Sequence, residues 1–123
     1  MLLLTLAGPI QKMDMMGYSY DLRRALARIA ALQGNASAQK QWAAAAALVR
    51  QRTIANLWRP ELGAMFDRDA EDQWVTTLVH NNLRMMWLGL FTQEMADTFV
   101  AQHLMNVSEF WPARRCGLLF SSS

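Results

Sequence analysis

The sequence predicts an all-α fold: two antiparallel αα-hairpins joined by a short β-like crossover loop. Three observations lead there. Apolar residues recur at helical spacing before residue 32 and again around residue 90. An alanine-rich run follows the first of these after Gly34-Asn35, a pair suited to the left-handed turn of a tight helical hairpin. Residues 57–76 then break the helical pattern. Arg59-Pro60 stops a helix, because proline clashes with the preceding turn, and Gly63 supplies a turn.

The elements follow in order. Residues 13–18, Met-Asp-Met-Met-Gly-Tyr, read as an irregular lead-in. Ser19 suits an N-cap, its hydroxyl accepting from an unpaired backbone N–H, with Asp21 complementing the helix dipole. Leu22, Ala25, Leu26, Ile29 and Leu32 form the expected buried stripe, with Arg23, Arg24 and Arg28 off it. Ser37 opens a second helix that runs to about Leu57. Trp42, Ala45, Ala46 and Val49 make one apolar face, and Ala43, Ala47, Ile54 and Leu57 a second, so this helix is expected to pack on two sides.

In the crossover, Met65-Phe66-Asp67 and Gln73-Trp74-Val75-Thr76 are apolar or β-branched runs around an acidic turn, and they suggest a small β-ribbon. Val79, Leu83, Met86, Trp87 and Leu90 mark a third helix, with His80-Asn81-Asn82 as its polar start or as cavity lining. Thr92 suits the N-cap of a fourth, with Glu94 in its first turn and Met95, Ala96, Phe99, Val100 and Leu104 as its buried stripe. The two hairpins span about residues 19–57 and 79–105. Residues 112–123 show neither helical period nor strand alternation and read as an unstructured tail. No repeat with matching residues is present, so a tetratricopeptide or ankyrin array is not expected.

Composition narrows the classes. The 123 residues allow one domain or a piece of a larger one, and 53% hydrophobic residues can build a core. Ten arginines and two lysines oppose ten acids, for a net charge of +2. The signs alternate without a basic block, and no helix clusters basic and amide side chains, so a nucleic-acid partner is not expected. The single Cys116 excludes an internal disulfide and a cysteine metal site. His80 and His103 lack a second ligand at helical spacing, so no metal is expected either, and no cofactor. No apolar run reaches membrane-spanning length. Residues 1–8 lack a positive start, and Pro9 cuts the run short. No membrane partner is therefore expected, and the cytoplasm is the favoured location.

Residues 57–69, Leu-Trp-Arg-Pro-Glu-Leu-Gly-Ala-Met-Phe-Asp-Arg-Asp, resemble the "LW-x-x-x-x-G-x-(F/Y)-(Y/F)-D-x-D" loop of the six-hairpin, (α/α)6-toroid glycoside hydrolases. The closest groups are trehalase-like, mannosyl-oligosaccharide-glucosidase-like and mannosylglycerate-hydrolase-like. Gln93-Glu94-Met95-Ala96-Asp97, His103-Leu104-Met105-Asn106 and Glu109-Phe110-Trp111 are similar to the next outer helix of that family. Residues 13–22 are similar to the segment entering an earlier hairpin. Together these motifs cover about residues 13–111, within an expected partial glycosidase-like helical domain at residues 1–111.

The resemblance implies two hairpins of an incomplete (α/α)6 toroid. It implies acid/base hydrolysis of α-linked oligosaccharides, with an oligosaccharide as the partner of the full-length relative. In that family the general-acid aspartate lies in a Gly-Trp-Asp type loop and the general-base glutamate near the barrel's C-terminus. Neither has a counterpart here, so the expectation is an internal fragment with no catalytic residue, inactive alone, and an unrelated tail from a frameshift or premature end.

Candidate substrate-binding residues follow from the resemblance and from side-chain chemistry. Asp14, Tyr18 and Tyr20 precede the first expected helix, where toroid glycosidases place pocket residues. Tyrosine and tryptophan offer flat faces to sugar rings and a polar tip for hydrogen bonds. Asp67, Asp69 and Trp74 lie in the crossover. Asp67 and Asp69 point to opposite sides of an extended loop, so they cannot form the catalytic pair. For the two acids, a turn or a salt bridge to Arg68 or Arg59 is the competing structural role, and for the rings ordinary packing. Trp58, Trp74 and Trp87 suit core anchors. The competing function is a freestanding helical-hairpin interaction module, which could self-associate through exposed hairpin faces.

Overall fold

The computed structural model describes residues 11–110. The fold is all-α with a two-stranded crossover. Helix α1 spans Met13–Leu32 and α2 spans Ala36–Leu57. Strands β1 (Trp58–Arg59) and β2 (Ala64–Met65) pair antiparallel, with Trp58 opposite Met65. Helix α3 covers Asn81–Trp87 and α4 covers Gln93–Phe99, the latter running on into a π-helical turn, Val100–Leu104. The expected boundary at residue 111 and the tail at 112–123 lie outside the described residues.

Helices α1 and α2 pack along one another as a hairpin. Gly34 takes φ +70° at the turn, as expected. The cap of α2 is Asn35, not a residue beside Ser37: its Oδ1 accepts the Ala38 N–H at 3.0 Å.

Helix α1 begins at Met13, six residues before the expected Ser19. Two features of the sequence concealed this. No side chain at Lys12 caps the helix, and Asp67 does so from far along the chain, its Oδ1 accepting the Met13 N–H at 2.8 Å. Gly17 looks like a helix breaker, yet a Cβ there would collide with the Met85 and Leu88 side chains. It is a close-approach residue inside the helix, where α1 crosses α3. Ser19 instead receives a hydrogen bond from Arg23.

The core also differs from the expected stripes. Met13, Gly17 and Ala30 are the buried residues of α1, while Leu22, Ala25, Ile29 and Leu32 are exposed and Leu26 is half-buried. On α2, Ala46, Thr53 and Leu57 are buried, but Ala43 and Ala47 are exposed and Trp42 is only half-buried. In α3 the buried side chains are Asn82 and Met85, and Trp87 is 83% exposed. The main apolar cluster lies in the crossover and the short helices. It includes Leu57, Met65, Phe66, Met85, Leu90 and Phe99.

Polar contacts lock this second half. Asn82 Oδ1 accepts the Met65 N–H at 2.8 Å, and its Nδ2 donates to the Met65 carbonyl at 3.1 Å. The side chain thus substitutes for a further strand beside β2, and it is fully buried with both groups satisfied. Thr92 caps α4 as expected, accepting the Met95 N–H at 3.2 Å. Arg24 of α1 donates to the Leu88 carbonyl, and Arg50 of α2 to the Gly89 carbonyl. Both arginines therefore satisfy carbonyls at the C-terminal end of α3, where Gly89 takes φ +84°.

Candidate functional site

The crossover brings acids and aromatic rings to the start of α1. Gln11 and Arg68 exchange backbone hydrogen bonds at 3.2 and 3.1 Å, and Arg68 bridges in turn to Trp74. The expected pairing of residues 65–67 with 73–76 is therefore reduced to one bridge plus the bonds Val75 N–H to Asp67 O and Asp69 N–H to Gln73 O. The two-stranded ladder forms earlier, around the turn that ends at Gly63 (φ +62°).

Asp67 is the most perturbed acid of the group. Burial raises its carboxyl above the ordinary aspartate range, and the negative charge of Asp14 adds to the rise. The hydrogen bond from Met13 and the charge of Lys12 oppose it. Of the acids in this crossover, Glu71 and Asp72 are exposed, and Asp67 is not. Asp67 follows the buried run Ala64-Met65-Phe66, which draws its carboxyl inward. Among the described residues its second oxygen has no hydrogen bond.

Asp69 organises the turn. Its Oδ1 accepts from the Glu71 N–H at 3.0 Å and the Gln73 N–H at 2.8 Å, and Asp72 takes φ +59° within the same turn. Among the described residues neither Asp67 nor Asp69 pairs with an arginine: Arg59 pairs with Glu61 at 2.7 Å and Arg68 with Asp72 at 3.3 Å. Arg68 also lies 3.8 Å from the Trp74 ring centre and Arg59 5.0 Å from it, so two guanidiniums engage that indole.

The six candidate residues thus divide. Asp14, Asp67, Asp69 and Trp74 belong to the crossover and the helix start that docks on it. Tyr18 and Tyr20 lie inside α1, not ahead of it, and face different ways. Tyr18 is half-exposed beside Arg84, at 5.4 Å. Tyr20 lines a groove of about 740 Å³ between α1 and α2, whose floor includes Ala43, Ala46, Ala47 and Ile54. This groove is where the second apolar face of α2 opens. Asp14 Oδ1 accepts the N–H of Met15.

Two features escaped the sequence reading. Trp58, Glu94, Thr92 and Thr98 line a smaller pocket of about 320 Å³ beside β1. Trp58 also packs edge-on against Phe91, 5.3 Å between ring centres, so it is at once a packing residue and a pocket wall. Its position two residues before Pro60 is the one local signal that could have placed it beside a turn. His103, in the π-helical turn, reaches the Leu62 carbonyl at 2.6 Å and Glu109 at 2.7 Å. It ties the π-helical turn to the Gly63 turn. No group of three or more metal-ligating side chains occurs among the described residues.

The acid- and aromatic-lined crossover between the helices is formed by the same residues, 57–69, that resemble a loop of the helical glycoside hydrolases. The family comparison agrees. The mannosylglycerate hydrolase MGH1-like glycoside hydrolase domain matches residues 5–118, and the chain belongs to this family. No curated protein matches the chain.

Proposed function

We propose that this chain forms a substrate-facing part of a glycoside hydrolase acting on α-linked oligosaccharides by acid/base hydrolysis, and that alone it turns over no glycoside. The observation that carries the reading is the half-buried Asp67 carboxyl beside Asp14, on the loop that carries the family motif. Carboxylates bind sugar hydroxyls, and Tyr18, Tyr20 and Trp74 would offer apolar ring faces to the sugar. Asp69 would shape the loop from below.

Inactivity follows from the requirement for two carboxyl groups on either side of the scissile bond. They stand about 6.5–9.5 Å apart in inverting enzymes. Asp67 is bonded into the start of α1, Asp14 carries like charge on the same spot, and Asp69 is engaged in its turn. Glu94 lies in a different pocket.

Incubation with trehalose, kojibiose, nigerose and mannosylglycerate, followed by chromatography, should give no product. A tryptophan-fluorescence titration with the same sugars should show weak saturable binding that Asp67→Ala and Trp74→Phe reduce. Turnover abolished by Asp14→Asn or Glu94→Gln would make this a compact enzyme in its own right. Binding indifferent to both crossover variants would remove the substrate-facing role.

The second reading, a helical-hairpin interaction module, has one specific observation in its favour: the exposed apolar stripe of α1.

A further inference from the structure

His103 is held by two acceptors at once. Its Nε2 lies 2.6 Å from the Leu62 carbonyl oxygen and its Nδ1 2.7 Å from the Glu109 carboxylate. A carbonyl can only accept a hydrogen bond, and so can an ionised carboxylate. A neutral imidazole has one N–H and one lone pair, so it serves one of these partners and turns its lone pair on the other. The imidazolium has two N–H donors and serves both. The one other proton arrangement that satisfies both sides, a protonated Glu109 donating to Nδ1, holds the same number of protons. Either way, removing one proton breaks one bond. The imidazole is only 13% exposed, so water has little access to make up the loss.

The bonds of His103 cross a close seam. A Cβ on Gly63 would stand 2.5 Å from Gln102 Oε1 and 2.9 Å from Thr98 Cγ2, so the Gly63 turn lies directly on α4 and its π-helical extension. Across that seam the Leu62 side chain is 39% exposed and adds little burial. The helix is wound wide where His103 sits, with the Met105 N–H bonded to the Val100 carbonyl at 2.9 Å. Few other charges surround the ring. The closing turn brings Glu109. The Gly63 turn carries Arg59 and Glu61, which pair with each other at 2.7 Å. On the helix itself Asp97 accepts from Gln93 at 2.7 Å, and the Phe99 ring lies 5.4 Å from the imidazole.

We propose that His103 is a proton-operated latch between the π-helical turn and the Gly63 turn, closed by the imidazolium and opened when the ring gives one proton to water. The remaining proton stays on Nδ1, because a carboxylate is a stronger acceptor than a carbonyl. The Nε2 lone pair then meets the Leu62 oxygen. The bond to Leu62 is therefore the one lost, and the Gly63 turn loses its polar tie to the helix while Glu109 keeps its own. The proposal does not depend on the glycosidase reading.

Nuclear magnetic resonance of the full chain between pH 5 and pH 9, the range in which histidine changes charge, tests it. The expected result is a single step. The 15N shift of His103 Nε2 changes from protonated to unprotonated, Nδ1 keeps its proton, and the Leu62 carbonyl 13C and Gly63 amide shifts move with it. Glu109→Gln keeps an oxygen acceptor but removes the charge, so the whole step should move to lower pH by about one pH unit. His103→Gln keeps one donor but cannot ionise, and its Leu62 and Gly63 signals should stay constant across the range. A ring that titrates while the Leu62 and Gly63 signals stay still overturns the proposal. So does proton loss from Nδ1 instead of Nε2, a step unmoved by Glu109→Gln, or the same movement in His103→Gln. The parent titration decides the matter even where a variant does not fold.

Discussion

The first hairpin and the second half of the chain are built by different means. Helices α1 and α2 are long, regular and flanked by a glycine turn and an asparagine cap, yet much of their surface is open. The crossover and the short helices α3 and α4 have little regular structure, but they hold most of the large buried side chains. Helical regularity and burial are separable. In the first hairpin, backbone hydrogen bonds and alanine propensity shape the chain. In the second half, side chains fix the backbone: Asn82 on β2, Thr92 on α4 and His103 on the Gly63 turn.

Substitutions of aromatic residues should separate the two halves most widely. Phe99 is fully buried between Phe91 and Phe110, and Phe99→Ala should cost about 3–5 kcal/mol in denaturant unfolding. Trp42→Ala, in the half-buried middle of α2, should cost only about 1–2 kcal/mol. Equal losses would show that the two halves share one core. Next comes Asn82→Ala, which strands the buried Met65 N–H and carbonyl and should cost about 2–3 kcal/mol. Retention of the parent melting temperature would mean that water or a neighbour replaces the amide. Asn35→Ala removes only a cap at an exposed turn, and about 1 kcal/mol is expected from thermal unfolding.

The smallest effect is a pH slope at the junction of the two halves. The raised carboxyl of Asp67 means that the folded chain binds that proton more tightly than the unfolded chain. Its contribution to stability is therefore greatest below the ordinary aspartate range. It is lost as pH rises through the raised value. Asp67→Asn keeps an oxygen for the Met13 N–H but cannot ionise. Relative to the parent, its melting temperature should improve from pH 3 to pH 6. A difference that stays flat across that range would contradict the burial of this carboxyl.

The sequence made the helices legible where local signals were complete. Alanine-rich α2, the Gly34 turn and the Thr92 cap all fell where local chemistry put them. It misplaced the start of α1, because the capping acid is Asp67, distant in the chain, and because Gly17 serves tertiary packing. The stripe of Leu22, Ile29 and Leu32 is truly periodic, but periodicity alone does not say what covers a face. The motif of residues 57–69 led to the right family. It could not show that Asp67 would be drawn inward while Asp69 folds back on its own turn, because those fates depend on where α1 docks.

The central claim is that the irregular second half, not the regular hairpin, holds the protein together. Native-state amide hydrogen exchange reads this directly, residue by residue. The account predicts the strongest protection at Leu57, Met65, Phe66, Leu88, Leu90 and Phe99. It predicts distinctly weaker protection from residue 26 to residue 45, at the far end of the first hairpin. If that far end exchanges as slowly as Met65 and Phe99, the hairpin is an equal part of one core and the claim is wrong.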